Sequence, residues 1–121
     1  MPTHIAYYQS LDIPRVVRAL CYRFKGQPII YGIRCIATGM VYVGCTFVPQ
    51  DRFYQHLITG SSSNLALQEA IAKYGLRKFT AVVFAVVEFP DGLPHGERKS
   101  YLLEQEARYI AMFPPAQLYN K

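Results

Sequence analysis

The chain has 121 residues, of which 51% are hydrophobic and 17% charged, and its formal net charge at pH 7 is +5. This length suits one domain with a modest core, and the composition excludes an intrinsically disordered chain. No apolar run reaches the ~20 residues of a membrane span, and residues 1–10 lack the apolar core of a signal peptide. The excess of basic residues only weakly favours a polyanionic partner. The three cysteines form no CxxC pair, so we expect an intracellular, reducing compartment.

Residues 1–27 are predicted to form an extension that contains one basic helix. Pro14 suits the first turn of this helix, and apolar residues then recur at helical spacing. Arg15 and Arg18 lie on its other side. The sequence leaves open whether they contact DNA or form the solvated face of a packing helix.

Residues 28–121 are predicted to form the main domain, of α/β (α+β) class, with a small central, mainly antiparallel three-stranded sheet flanked by helices. Apolar, β-branched residues over 28–36 and 40–45 predict a β-hairpin, and the nearly continuous apolar run 78–89 predicts a central strand. A turn and a helix cap are expected at 61–63. The helices of this domain are predicted over 49–60, 64–74 and 96–112.

The last helix carries a carboxylate on its predicted inner face. At about 100° per residue, the buried stripe consists of Leu103, Ala107 and Ile110, widened by Leu102. Glu106 falls inside this apolar arc, whereas Glu104 lies on the opposite flank. A buried carboxylate is costly unless a cation, a metal ion or several donors meet it. A structural ion pair with an arginine and a ligand for a divalent metal such as Mg²⁺ both satisfy this condition.

Residues 42–56 bring several polar side chains together within a strand, a loop and a helix. Arg52 and His56 are four residues apart, so both point from one face of the helix. With Tyr31 and Tyr42, they could bind a phosphate and move a proton. Each of these residues alone is commonly structural, and only their order favours a functional site. The sequence contains no zinc-ligand spacing, no nucleophile elbow and no glycine-rich phosphate loop.

This order of residues resembles the GIY-YIG nuclease family, in particular the branch of homing endonucleases and free-standing phage or viral nucleases. The likeness covers residues 29–120. The matching positions are Tyr31, Tyr42, Arg52, His56, Lys73-Tyr74-Gly75 followed by Phe79, Glu106 and Asn120. Ile29 replaces the first glycine of the family, and Val43 replaces the isoleucine of its second motif. Neither change removes a chemical group.

The resemblance implies an endonuclease that hydrolyses phosphodiester bonds in DNA with one Mg²⁺ or Mn²⁺ ion. Its catalytic residues would be Tyr31, Tyr42, Arg52, His56, Glu106 and Asn120, with Glu106 as the metal ligand. Arg52 would neutralise charge on the phosphoryl oxygens, and Tyr31 would position or deprotonate the attacking water. The group that takes the proton is left open. Further nucleic-acid contacts are expected at Arg15, Arg18 and Lys73.

The resemblance also bears on partners. DNA is the expected partner, with no membrane, and the protein is expected to be a monomer or a homodimer. Homing enzymes usually carry a separate DNA-binding domain, and none is expected here. We therefore expect modest affinity and limited specificity unless dimerisation or a partner protein supplies them. A phage, viral or organellar-intron origin would place the protein in host cytoplasm or an organelle.

Two alternatives to a nuclease stay open. One is a catalytically silent GIY-YIG fold that serves as a nucleic-acid-binding or ribonucleoprotein scaffold subunit. The other is an ordinary α/β interaction domain in which the motif match arises by chance. Both differ from the nuclease in having no chemical use for Glu106.

Overall fold

The computed structural model, which describes residues 2–61 and 64–120, is an α+β fold built on one antiparallel sheet. The strands are β1 (Ala6–Tyr8), β2 (Ile29–Cys35), β3 (Val41–Thr46) and β4 (Phe79–Val86), in the spatial order β1-β4-β2-β3. The helices are α1 (Pro14–Arg23), α2 (Pro49–Tyr54), α3 (Leu65–Tyr74) and α4 (Arg98–Ile110). A π-helical turn, Gln55–Thr59, continues α2 directly. Within the described ranges, no helix has the length and apolar character needed to span a bilayer.

The prediction of a three-stranded sheet is wrong by one strand. The predicted hairpin and central strand are present as β2, β3 and β4, and all neighbouring strands pair antiparallel. The fourth strand, β1, pairs with β4 and places Ala6 opposite Val83. A strand of three residues is too short to show a two-residue period in the sequence. Its position depends on the exposed edge of β4, which lies far away along the chain.

The sheet is covered on both faces, with α1–α3 on one side and α4 on the other. Tyr31 and Ile33 of β2 point into the first layer, where they pack with Leu20 of α1 and Phe53 of α2. The second layer contains Ile30, Val43, Phe84 and Leu102. Burial of both faces explains why β2 and β4 are almost continuously apolar.

The ends of α3 show how the chain turns between layers. The Asn64 side chain caps this helix by accepting a hydrogen bond from the Leu67 backbone N–H at 2.8 Å. The cap expected at 61–63 therefore lies one residue further on, and residues 62 and 63 fall outside the described residues. Gly75 ends the helix with a φ of 80°, as its position in the sequence predicted.

The inner face of α4 is rotated from the predicted one. Leu103 is 46% exposed and Ala107 is also exposed, so neither belongs to a buried stripe. The positions that face the sheet are Leu102, Glu106, Tyr109 and, as predicted, Ile110, followed by Phe113 beyond the helix end. Tyr109 stacks on Phe84 of β4 with ring centroids 5.1 Å apart, which fixes this rotation. Glu106 consequently lies at the middle of the inward stripe.

Candidate active site

The centre of the candidate site is a buried pair of side chains, Tyr31 and His56. Tyr31 Oη lies 2.7 Å from His56 Nε2, and the two residues are 0% and 1% exposed. Tyr31 comes from β2, and His56 comes from the π-helical turn after α2. Such turns are rare in proteins as a whole, but those that occur are often found at functional sites. The turn holds the imidazole against the sheet.

The ring of Tyr31 fills the space above Gly44. The two residues are direct partners across β2 and β3. A Cβ atom added at Gly44 would lie 2.5 Å from Tyr31 Oη and 2.6 Å from its Cζ. Only glycine leaves room for the tyrosine at this position. Gly44, which follows Tyr42 and Val43 on β3, is therefore required by the Tyr31 ring on β2.

Arg52 of α2 interacts with both tyrosines. Burial acts to lower the pKa of Arg52, but its interactions with Tyr31 and Tyr42, which include a hydrogen bond to each, outweigh this effect and raise the pKa. Arg52 Nη1 also donates to Gln55 Oε1 at 3.1 Å. Arg52 and Tyr42 are half-buried, unlike Tyr31. They are thus the members of this group that a ligand can reach.

The protonation states in this pair follow from burial. Burial, and then the charge of Arg52, lowers the pKa of His56 to about 3, so the imidazole is neutral at pH 7. His56 Nδ1 has no hydrogen-bond partner among the described residues. The direction of the Tyr31–His56 hydrogen bond depends on the ring tautomer: Nε2 donates to Tyr31 Oη when it carries the ring proton, and accepts from the tyrosine hydroxyl when Nδ1 carries it. Tyr31 keeps its own proton, since burial raises its pKa well above the usual range despite the opposing effect of Arg52.

Glu106 approaches the same region from the other face of the sheet. Burial raises the pKa of the Cys45 thiol to about 12, aided by a hydrogen bond to Glu106 and by its charge. Arg52 and Lys99 act in the opposite direction on the same thiol. The Cys45 thiol therefore interacts with the Glu106 carboxylate and with the charge of Arg52. A thiol is a weak donor, so it leaves most of the acceptor capacity of the carboxylate free for other ligands.

Asn120 fixes the edge of β3. Its Oδ1 accepts a hydrogen bond from the Val43 N–H at 2.9 Å, and its Nδ2 donates to the Val43 carbonyl at 2.7 Å. Leu118 forms a parallel bridge with Val41, so the tail covers this edge as far as Val43. Alternate residues of a strand direct their backbone groups to the same side. The backbone of Cys45 is thus directed to the same edge, one step past the Asn120 side chain.

The three weaker predicted contacts, Arg15, Arg18 and Lys73, lie outside this group. Arg15 and Arg18 are exposed on α1, and Lys73 is exposed on α3 with its ammonium 5.3 Å from the Tyr74 ring. All three belong to the layer of α1–α3. They lie across the sheet from the helix that carries Glu106.

Two residues of the site were missed in the sequence, Cys45 and Lys99. Cys45 has the same strand parity as Val43, which places its side chain on the α4 face. Lys99 lies two helical turns before Glu106 and so shares its side of α4. Both relations could have been deduced from spacing once Glu106 was singled out.

The donor set fits a divalent ion that is held mainly by water and substrate. Over the described residues, no group of three or more His, Cys, Asp or Glu side chains could hold a metal ion. Mg²⁺ commonly takes only one or two protein carboxylates and completes its shell with waters and phosphate oxygens. Glu106 alone satisfies that requirement. The neighbouring Cys45 is a soft sulfur donor and does not suit Mg²⁺, which takes oxygen ligands.

Comparison with known proteins gives no match. No protein-family model, no curated protein and no solved structure matches this chain. The resemblance to GIY-YIG nucleases rests on the residues described above, and the family assignment stays a prediction.

Proposed function

We propose that the protein is a divalent-metal-dependent endonuclease of the GIY-YIG type that hydrolyses phosphodiester bonds in DNA. The observation that carries the proposal is that Arg52 of α2 and Glu106 of α4, from opposite faces of the sheet, both interact with Cys45 of β3. A guanidinium suits phosphate oxygens, and a carboxylate with free acceptor capacity suits a divalent cation. Together, the two groups could bind the phosphate oxygens of a phosphodiester and the divalent cation that its hydrolysis requires.

The proposed role of each side chain follows from whether a substrate can reach it. Arg52 donates to the non-bridging phosphate oxygens and stabilises the charge that develops on them. Glu106 would hold a divalent ion, which would polarise the phosphate and stabilise the leaving oxygen. Tyr42, half-buried and hydrogen-bonded to Arg52, orients the attacking water. Tyr31 is completely buried and keeps its proton, so it positions Arg52 and His56 rather than acting as the base.

The test is the cleavage of supercoiled plasmid by the purified protein with Mg²⁺, with Mn²⁺ and with EDTA. We expect nicking or linearisation that needs the metal and falls by at least ~100-fold in Glu106→Ala. The matched control is Glu104→Ala, because Glu104 is exposed on the same helix. This control should cut like the unchanged protein.

The other outcomes are equally informative. Cleavage that survives in Glu106→Ala would place the active site elsewhere. Intact plasmid under every condition, with DNA binding retained, would overturn the nuclease proposal in favour of a nucleic-acid-binding scaffold.

A further inference from the structure

A groove between α1 and α2 lies behind the candidate active site. Its volume is about 560 Å³, which is within the range of ligand-binding pockets. Tyr54 and Ile58 line the groove, whereas Phe53 and His56 on the same helical segment face the sheet. The groove and the Tyr31–His56 pair are therefore separated by the width of one helix, about 10 Å.

The groove exposes aromatic rings from both of its walls. Tyr22 of α1 is 67% exposed and Tyr54 of α2 is 51% exposed, and both line it. Val17 and Cys21 are also among the lining residues and are buried. Exposed rings around an apolar floor suit the flat faces of nucleobases, since every base offers a π-face.

Positive charge surrounds these rings. Arg18 and Lys25 line the groove, and the Lys25 ammonium lies 5.8 Å from the centroid of the Tyr22 ring. Residues 14–25 contain no acidic side chain. Asp51 is the acidic residue among those that line the opposite wall. Basic side chains interleaved with aromatic rings are typical of surfaces that bind single strands.

We propose that the groove between α1 and α2 binds unpaired nucleotides of single-stranded DNA. The bases stack on Tyr22 and Tyr54, and the backbone phosphates lie near Arg18 and Lys25. A duplex fits less well, because its bases are stacked on one another and offer no free face to the rings. The choice of DNA rests on the proposed function, but binding in the groove does not depend on cleavage.

The test is fluorescence anisotropy with a labelled 12-nucleotide single strand, in EDTA, beside the same sequence as duplex DNA and as single-stranded RNA. We expect the full chain to bind the DNA single strand, and the loss of the groove tyrosines to weaken single-strand binding more than duplex binding. The double variant Tyr22→Ala/Tyr54→Ala should bind the single strand at least ~10-fold more weakly. Tyr7→Ala is the matched control, since Tyr7 is 52% exposed on β1 and does not line the groove. It should bind like the unchanged protein.

A second variant tests the interaction with the phosphates. Arg18→Ala/Lys25→Ala should lower the slope of log K against log salt by about 0.7 for each phosphate that the protein no longer neutralises. Equal single-strand affinity of the unchanged protein and the tyrosine double variant would overturn the proposal, as would an equal loss of duplex affinity in that variant. A preference for RNA would overturn the assignment to DNA. Because binding is measured in EDTA and cleavage is measured separately on plasmid with metal, a failed nuclease proposal remains distinguishable from a failed groove.

Discussion

His56 combines complete burial with the positive charge of Arg52 nearby. Both oppose protonation of the ring, and the pKa falls to about 3 from its usual 6.5. In the unfolded chain the imidazole titrates near its usual value. Between these two values the unfolded chain binds more protons than the folded one. The contribution of His56 to the free energy of unfolding is therefore fully present above pH 6.5, and it is lost as the pH falls toward 3.

This linkage gives a prediction for acid unfolding. Below pH 6.5, His56 should reduce the free energy of unfolding by up to about 1.4 kcal/mol per pH unit. Urea unfolding from pH 7.5 to 4.5 measures it as the difference between the unchanged protein and His56→Gln, in which all other groups still titrate. His95→Gln is the control, because His95 is exposed. Parallel curves for the protein and His56→Gln would contradict the neutral, buried imidazole.

At the scale of elements, the β2–β3 hairpin packs the ring of Tyr31 on β2 directly over Gly44 on β3. Gly44→Ala places a Cβ atom inside the contact radius of the Tyr31 ring. We expect it to lower the free energy of unfolding by about 1–3 kcal/mol and to disturb the Tyr31–His56 hydrogen bond. Gly96→Ala is the control, since a Cβ there meets no atom within 4 Å. Urea unfolding checks both; equal stability of the two variants would contradict the packing role of Gly44.

Much of the element order is predictable because its signals are local. β2, β3 and the end of α3 at Gly75 follow from runs of β-branched residues and from one glycine. β1 is not predictable, because its three residues become a strand only against the edge of β4. The rotation of α4 was also missed. A helical wheel gives relative angles, but the stacking of Tyr109 on Phe84 decides which angle faces the sheet.

In the candidate site too, some features follow from the sequence and others depend on tertiary contacts. The grouping of Arg52 and His56 with Tyr31 follows from helical spacing and from the hairpin. The complete burial of Tyr31 does not, because it depends on side chains from α2 and on the close approach of β3. Nor does the position of Asn120, which binds the backbone of Val43 from 77 residues away. Spacing identifies partners within one element, and tertiary contacts decide what each partner can do.

At the scale of the whole molecule, the candidate site lies at an edge of the sheet. β3 is the outer strand, and of the described residues, Leu118 and Asn120 cover its edge as far as Val43. Exposed strand edges readily accept other molecules. The uncovered part begins near Cys45, where Arg52 and Glu106 act from the two faces. An extended polymer could therefore reach both groups without any movement of a lid.

Lys99 provides a test of this geometry. It lies in the first turn of α4, its charge acts on Cys45, and it lines a small cavity of about 260 Å³ with His95, Arg98 and Phe47. If duplex DNA lies along this edge, Lys99 contacts a phosphate, and binding by a variant without this lysine releases one counterion fewer. Lys99→Ala should then weaken duplex binding and reduce the slope of log K against log salt by about 0.9.

The measurement is a salt titration of duplex binding in EDTA, so that cleavage plays no part. Lys78→Ala is the matched control, because Lys78 is exposed just before β4, which lies inside the sheet and away from its β3 edge. A lower slope for Lys99→Ala alone places the phosphate backbone along β3 and beside Glu106. Equal slopes for both variants would mean that charge attracts DNA without orienting it, and the polymer would then have to enter from another side of the molecule.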